Sequence, residues 1–500
     1  MKRFFVLSAL AALAVSSVSL SGCSNNAQTI QSSPPPTGVT IMFKNNRPDA
    51  DTVQAYVGFG GGGAFTGTNL ADGSSLEKGV AYPMSQFSSG INITQFISDR
   101  IFISLGAGLT TPDEGNGFSP NFDNPNLDDF TTRWDKIEAT FVNGVGGANL
   151  TSQDFFGIPM DIMSSGGGQS PTHLTWRKDT ATVFQSLGML SNFSVISTTN
   201  ATGAIGTAPG EIGVTIPGVG ENPVIRVISP GSVSPLAGGK TVYQSLAGYV
   251  TYLQTGNGGN PVQTTIAGNN GQVAGGAFQT YNLIATVQNV PTTINGTPVA
   301  EGDLVLQGTI NNGSGDTPYA VLVGSSDLSD YAIYGANPTF QIIEGADFNG
   351  ITAKVLADYF AALNFGFPGS GVTNPNQNNS TIGASPSWTW YGNNPDGTDQ
   401  PPLSINAAFS AAQPGQTGRY NLYADYLVGV TDSYGFAYND RLQSPLASLG
   451  DGSVMTITIL PDTGLGAANR RANAPGATEE FVARIWANLS ALFAPFTLKR

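Results

Sequence analysis

The sequence predicts a mainly β protein with a mixed α/β part. Three observations carry this. Apolar residues alternate with period two in several short runs. Glycine and proline number 64 and 31 in 500 residues, so turns are frequent. The stretches with a helical repeat are few and cluster in the second half. Hydrophobic residues make up 40% of the chain, enough for a real core, while charged residues are only 11%, against ~25% in an average soluble protein.

The elements follow in chain order. Met1-Lys2-Arg3 and the apolar stretch from Phe4 to Val15 have the form of a secretory signal, too short for a comfortable membrane span. The stretch ends in Leu20-Ser21-Gly22-Cys23, which resembles a bacterial lipobox, and Cys23 is the sole cysteine. Lipidation of Cys23 is expected, with a plain secretory signal as the alternative. Ser24 at the next position favours the outer membrane by analogy. Residues 24–37, with Pro34-Pro35-Pro36, read as a spacer. Strands are expected where Val39, Ile41 and Phe43 alternate, and again at Val53, Ala55 and Val57. The same pattern recurs at Ile101, Ile103 and Leu105, at Ile137, Ala139 and Phe141, and at Met455, Ile457 and Ile459. Helices are expected along Val242, Leu246, Val250 and Leu253, over Ala353–Asn364 ending at Gly366, and over Thr478–Phe493. Ser387-Trp388-Thr389-Trp390-Tyr391 reads as a strand with both tryptophans on one face.

Composition excludes several functions. The formal charge is −14, and such an acidic surface repels phosphate backbones, so no nucleic-acid partner is expected. One cysteine and one histidine, His173, rule out intrachain disulfides, Cys-rich metal sites and multi-His zinc centres. Gly58-Phe59-Gly60-Gly61-Gly62-Gly63 satisfies a dinucleotide pattern in form only. No helical pattern follows it, so a glycine turn between strands is the better reading. Gly239-Lys240-Thr241 lacks the leading glycine of a phosphate loop. His173, after Gly166-Gly167-Gly168, reads as a solvated loop residue rather than a triad member. Asn394-Pro395-Asp396-Gly397 is turn chemistry.

Acid–base chemistry then falls to carboxylates. In Trp134-Asp135-Lys136-Ile137-Glu138-Ala139-Thr140-Phe141 the odd positions are apolar from Ile137 on, so Glu138 and Thr140 face the wetter side. Asp154 follows after a loop rich in Gly and Asn. If the two segments are neighbours, both carboxylates can face one groove, as inverting glycoside hydrolysis requires at ~6.5–9.5 Å. Two like charges ~8 Å apart repel by about 2 kcal/mol at an effective dielectric of ~20, which favours keeping one of the pair protonated. The structural alternative is that Glu138 pairs with an arginine such as Arg100. Trp388 and Trp390 could stack on sugar rings or be core residues.

At these residues the sequence resembles glycoside hydrolase family 64, the β-1,3-glucanases with a thaumatin-like β domain. The likeness lies in Asp135–Phe141 followed by Asp154-Phe155-Phe156-Gly157-Ile158-Pro159. Further similar segments follow in order: Ser98–Gly106, Asn124-Pro125, Arg226-Val227-Ile228-Ser229-Pro230, Tyr243–Tyr252, Ala361-Ala362-Leu363-Asn364 and Tyr434–Asp440. The resemblance implies a thaumatin-like β-sandwich or barrel domain (38–178 and 411–463), an inserted mixed α/β domain (179–410) and a wide groove between them. Residues 1–22 would be the signal, 23–37 the tether and 464–500 a helical tail. It further implies inverting cleavage of β-1,3-glucan into oligosaccharides without metal or cofactor. Glu138 would be the general acid and Asp154 the general base. Thr140 would line the glucan subsite, and Trp134, Trp388 and Trp390 are further candidates for binding sugar. The expected protein is a monomeric lipoprotein of the bacterial cell envelope, anchored through Cys23 at the outer membrane, or else secreted. The alternatives are a non-catalytic glucan-binding lipoprotein and a surface adhesin. The chain departs from the family pattern at Phe365, where a basic residue is expected, and in having no histidine between Tyr420 and Val430.

Overall fold

The computed structural model describes residues 37–464, except 111, 114–116, 124–127, 199–212, 217–222, 234–241, 257, 273–276, 378–379, 399, 406–407, 410–418 and 443–444. The signal, Cys23, most of the tether, Asn124-Pro125, Gly239–Thr241 and the expected helix Thr478–Phe493 lie outside the described residues.

The first half is almost all strand. It runs β1 (Val39–Asn45), β2 (Ala55–Gly61), β3 (Phe65–Asn69), β4 (Tyr82–Pro83), β5 (Ile91–Leu105), β6 (Pro112–Asp113), β7 (Gly117–Phe118), β8 (Arg133–Val142), β9 (Val145–Leu150), β10 (Phe155–Phe156), β11 (Met160–Gly166) and β12 (Gln169–Leu174). The middle is mixed: α1 (Thr180–Met189), β13 (Ile196–Thr198), β14 (Val224–Ile228), α2 (Ala247–Thr255), β15 (Gln263–Gln272), β16 (Phe278–Val287), β17 (Thr292–Ile294), β18 (Thr297–Val299), β19 (Leu304–Asn311), β20 (Asp316–Val323), α3 (Asp330–Gly335), β21 (Gln341–Glu344), α4 (Ile351–Phe365), α5 (Trp388–Tyr391) and α6 (Leu422–Val430). The chain returns to strand in β22 (Ala447–Gly450) and β23 (Ser453–Ile459).

An eleven-stranded sheet has the backbone order β12-β11-β23-β1-β5-β8-β9-β22, with β2, β3 and β4 attached through β5 and β2. Its first and last strands in sequence, β1 and β23, are parallel neighbours. Residues between them therefore leave the sheet and return to it. The two ends of the path meet, since β22 lies against β12 and β11, and the sheet is nearly a barrel. Glycine makes that approach possible: a Cβ on Gly450 would stand 2.0 Å from the Gly167 carbonyl oxygen. A buried charge cluster ties the end of the sheet together. Asp462, just past β23, accepts from Arg133 Nη1 at 2.8 Å and Nη2 at 2.6 Å and from Arg47, which also donates to Asp49.

A five-stranded antiparallel sheet, β15-β16-β19-β20-β21, forms the second layer. Helices α2 and α4 pack on it. α4 is apolar on nearly every side and almost wholly buried, as expected of a core helix. It ends at Gly366, whose φ of 75° closes the last turn. A three-stranded sheet, β10-β14-β13, lies between the two regions in sequence and joins the loop of Asp154 to Arg226–Ile228. The protein is thus mainly β with a mixed α/β part, as the alternation predicts.

Three local expectations need correction. Trp388 and Trp390 lie on the helical turn α5, not on a strand. Ser387 Oγ is hydrogen-bonded to both backbone groups of Ala267, which pins the segment to β15, and Gly392 ends it with a φ of 71°. His173 sits on strand β12 opposite Met163, not in a loop, and its Nε2 is 2.7 Å from Asp161 Oδ1. α2 begins at Ala247, so Val242 and Leu246 precede it. The glycine run lies between strands only in part: Gly58 to Gly61 are on β2, and Gly62 and Gly63 are in the turn to β3.

Candidate active site

One face of β8 carries the site. Trp134, Lys136, Glu138 and Thr140 are alternate residues and share that face. The face passes from core to surface along the strand. Trp134 is 2% exposed and Lys136 is buried, while Glu138 and Thr140 are half-exposed. In register, Arg100 of β5 and Asn149 of β9 flank Glu138 on either side. Arg100 Nε stands 3.8 Å from Glu138 Oε1, and each side chain keeps 35% of its surface in water. The Arg100–Glu138 pairing expected as the structural alternative is therefore present, as a loose and solvated contact. Asn149 is buried, and its Oδ1 has no hydrogen-bond partner among the described residues. A buried acceptor left open beside a carboxylate is uncommon and costs desolvation.

Asp154 lies in the loop just before β10. Lys136 Nζ donates to its Oδ2, and Ser232 Oγ donates to its Oδ1 at 3.2 Å. Its own carbonyl accepts from Ser229 N at 2.9 Å. Burial pushes the carboxyl up, but the Lys136 ammonium, Arg100 and Ser232 together hold it below the usual carboxylate range. The side chain is 31% exposed, so the burial that opposes ionisation is partial. Asp154 is therefore held ionised. Arg100 stands near Glu138, and its charge also helps to lower Asp154. Two like charges alone would repel. In the structure Lys136 and Arg100 offset that repulsion.

The loop is held by a residue next to the site. Asp135, on the opposite face of β8, accepts from Lys136 N at 2.8 Å, Gly157 N at 2.9 Å and Ile158 N at 3.0 Å. Burial pushes its carboxyl up to about 6, against the pull of these three N–H groups and Lys136. Gly157 is required here, since a Cβ would stand 2.6 Å from the Trp134 carbonyl oxygen. Behind the loop, Arg226 is buried against Phe130, Trp134 and Phe155. Burial lowers its guanidinium to about 9, although Asp135 and Asp129 raise it.

The remaining predicted residues divide. Thr140 Oγ1 accepts from Ser98 N at 3.1 Å, closing the bulge that β5 makes opposite β8. Its half-exposed position beside Glu138 leaves it next to the open part of the face. Trp134 shares the face, but Phe102, Phe122 and Phe155 cover it. Its ring therefore has no free surface for a sugar. Trp390 is 0% exposed, packed on Phe367 and Tyr391, and is likewise a core residue. Trp388 is half-buried and lines a different cleft, on the five-stranded sheet. Lys136, Arg100, Asn149 and Asp135 were missed as site residues. The signal for Lys136 was present, because it stands two residues from Glu138 on the same strand face. Arg100 and Asn149 come to Glu138 only through strand pairing, and Asp135 bears on the site through the N–H groups of Gly157 and Ile158.

Among the described residues no group of three or more His, Cys, Asp or Glu could hold a metal ion. No described helix is long and apolar enough to cross a membrane.

No family model matches the chain, and no curated relative matches it. Solved structures do. The chain is similar to a β-1,3-glucanase domain of glycoside hydrolase family 64 from Clostridium beijerinckii, at 16% identity over 85% of this chain and 100% of that one, with a TM-score of 0.49. It is similar to a laminaripentaose-producing β-1,3-glucanase solved in complex with laminaritetraose, at 15% identity over 86% and 100%, with a TM-score of 0.48. A family 64 laminaripentaose-producing β-1,3-glucanase from Paenibacillus barengoltzii is similar at 15% identity over 86% and 78%, with a TM-score of 0.43.

Proposed function

We propose that this chain is a glycoside hydrolase that cleaves β-1,3-glucan with inversion and releases oligosaccharides. The observation that carries the reading is a carboxylate held ionised by a lysine, with a second carboxyl group half-exposed on that lysine's strand face. Asp154 is held ionised by Lys136, and half-exposed Glu138 stands one position further along the same face as that lysine. Lys136 and Glu138 are about 7 Å apart along the strand. An inverting pair stands ~6.5–9.5 Å apart to admit a water, against ~5–5.5 Å in a retaining pair, and inversion is taken here from the family resemblance. The substrate class rests on the resemblance of residues 135–141 and 154–159 to family 64.

In this reading the glucan lies over the open end of the β8 face, with Thr140 beside the scissile bond. Glu138 gives its proton to the glycosidic oxygen as the bond from that oxygen to the anomeric carbon breaks. Asp154 takes a proton from a water, whose oxygen bonds to the anomeric carbon from the opposite side. Positive charge develops on the sugar ring, and the ionised Asp154 stabilises it. Solvent exchange then returns the proton from Asp154 to Glu138. The chain would be lipidated at Cys23, attached to the bacterial envelope at the outer membrane, and act as a monomer.

Reducing-end release from linear β-1,3-glucan tests the assignment. Glu138→Gln and Asp154→Asn should each lower kcat by about 10²–10⁴ while glucan still binds. If neither variant loses activity, the roles are wrong. If the unmodified chain binds glucan and releases nothing, the protein is a glucan-binding lipoprotein. Fatty-acid labelling that disappears in Cys23→Ser tests the anchor.

A further inference from the structure

The outer face of the five-stranded sheet carries chemistry that the carboxylate pair does not use. Register places Ala267, Asn282 and Thr309 in one row across β15, β16 and β19. Asn269, Thr280, Asn311 and Asp316 form the next row. The alternate residues of β16, Tyr281 and Leu283, point into the core. A cleft of about 340 Å³ opens over these rows, walled by Trp388 and Pro395. Its size falls within the ~300–1,000 Å³ of small-molecule sites.

The wall is built and held. Ser387 ties α5 to Ala267 at 3.0 Å through both its donor and its acceptor. Asn393 Nδ2 donates to the Tyr281 hydroxyl at 2.8 Å, and Asn269 Nδ2 donates to the Asn394 carbonyl at 2.6 Å. The described tryptophans differ in a telling way. Trp134, Trp176 and Trp390 are buried and packed against other rings. Trp388 is half-buried and makes no ring contact or side-chain hydrogen bond among the described residues. Thr265, Thr280, Asn282 and Thr309 likewise hold no side-chain hydrogen bond among the described residues. Among the described residues no cation lines the cleft, and the one charged residue there, Asp316, accepts from Asn311 Nδ2 at 2.9 Å.

A rigid aromatic ring beside uncommitted hydroxyls and amides, with no positive charge, suits a ligand that is uncharged and rich in hydroxyl groups. Phosphates and carboxylates find nothing to pair with. The apolar face of a sugar ring can lie on indole, while its equatorial hydroxyls exchange hydrogen bonds with threonine and asparagine. We propose that this cleft is a second, non-catalytic site that binds a neutral polysaccharide chain, with Trp388 as its platform and Thr280, Asn282 and Thr309 as its hydroxyl partners. The ligand is either the β-1,3-glucan of the proposed reaction or another neutral polysaccharide. The site does not depend on the carboxylate pair.

The test uses the chain from Ser24 onward with Glu138→Gln to prevent turnover and Trp486→Phe to remove the tail's indole. Linear hexasaccharides of β-1,3-glucose, β-1,4-glucose and β-1,4-mannose are titrated by calorimetry and by tryptophan fluorescence. Saturable binding of at least one is expected, with a fluorescence change from Trp388. Affinity should fall tenfold or more in both Trp388→Ala and Asn282→Ala. Asn282 is exposed, so its truncation leaves the fold intact. Binding of the β-1,3 sugar alone makes the site an accessory to the proposed substrate. Binding of another sugar assigns it that polymer instead. The proposal is overturned if no sugar binds, or if both variants bind as well as the parent, which would place binding at the carboxylate face. Failure of the unmodified chain to release sugar would count against the glucanase reading alone.

Discussion

Replacing Asp462 by asparagine removes one charge from a buried cluster of four. Arg133 has a fully buried side chain and Arg47 one that is 3% exposed, and both point at the Asp462 carboxylate. Arg47 keeps Asp49 in the variant, and Arg133 Nε keeps the Gly157 carbonyl at 2.9 Å. The Arg133 fork, however, loses its carboxylate while Arg133 itself stays fully buried. Removing one partner of such a pair costs about 3–5 kcal/mol, because a charge stays buried without compensation. Over the roughly 370 described residues this corresponds to a fall in Tm of about 4–6 °C, taking ~2.1 cal/mol/K per residue for the unfolding entropy. The pH dependence has a definite sign. Burial pushes the Asp462 carboxyl up, but Arg133 and Arg47 outweigh it and hold it far below the usual range. A depressed folded pKa gives stability that is complete above the unfolded value of ~3.9 and is lost as pH falls further. The gap between native and variant should therefore be full from pH 5 upward and shrink below about pH 4. Differential scanning calorimetry of Asp462→Asn from pH 3 to 8 reads this, with the exposed Asp51→Asn as control. A variant within ~0.5 kcal/mol of the native protein at pH 7, or a gap that does not narrow in acid, would refute the reasoning.

Other substitutions address the site. Lys136→Met removes the ammonium that keeps Asp154 ionised, so the acid limb of the activity profile should move to higher pH. The ¹³C carboxyl titration of Asp154 should move the same way, and an unmoved titration would show that Lys136 does not set its charge. Asp135→Ala strips the acceptor from Gly157 N and Ile158 N, each loss costing about 1–3 kcal/mol. Hydrogen exchange at residues 154–158 should quicken and activity fall, and unchanged exchange there would contradict the anchoring role. The Asp135 carboxyl, pushed up to about 6 by burial, opposes folding when ionised. Native stability from this group should therefore decline as pH rises from ~4 through 6, a slope that Asp135→Asn should remove in chemical denaturation curves.

Much of the fold was legible because a period of two is a strong signal. Ile137, Ala139 and Phe141 are buried on β8 while Glu138 and Thr140 are not, as the alternation requires. α4 was legible from its repeat and its closing glycine. Other features depend on partners far away in sequence. The tryptophans of Trp388-Thr389-Trp390 alternate like a strand, and four residues are too few to separate the periods. The bonds from Ser387 to Ala267 and the turn at Gly392 decide for a helix. β12, Gln169–Leu174, has no apolar alternation, so His173 looked like loop. Pairing with β11 makes it strand, and the preceding glycines are the hairpin tip. In the site, the two acids could be proposed from one short stretch. Arg100 and Asn149 reach Glu138 only through the registers of β5 and β9, and Ser232 reaches Asp154 from 78 residues away. Trp134 was misjudged as a ligand residue because covering rings, Phe102 and Phe122 among them, come from other segments.

The most direct test of the central claim is the configuration of the first product. The chain from Ser24 onward is mixed with linear β-1,3-glucan, and the anomeric protons are followed by NMR from the first minutes, beside Glu138→Gln. The α-anomer should appear first and equilibrate later, and the variant should release nothing. If the β-anomer appears first, or if Glu138→Gln works as well as the native chain, the inverting roles of Glu138 and Asp154 are contradicted.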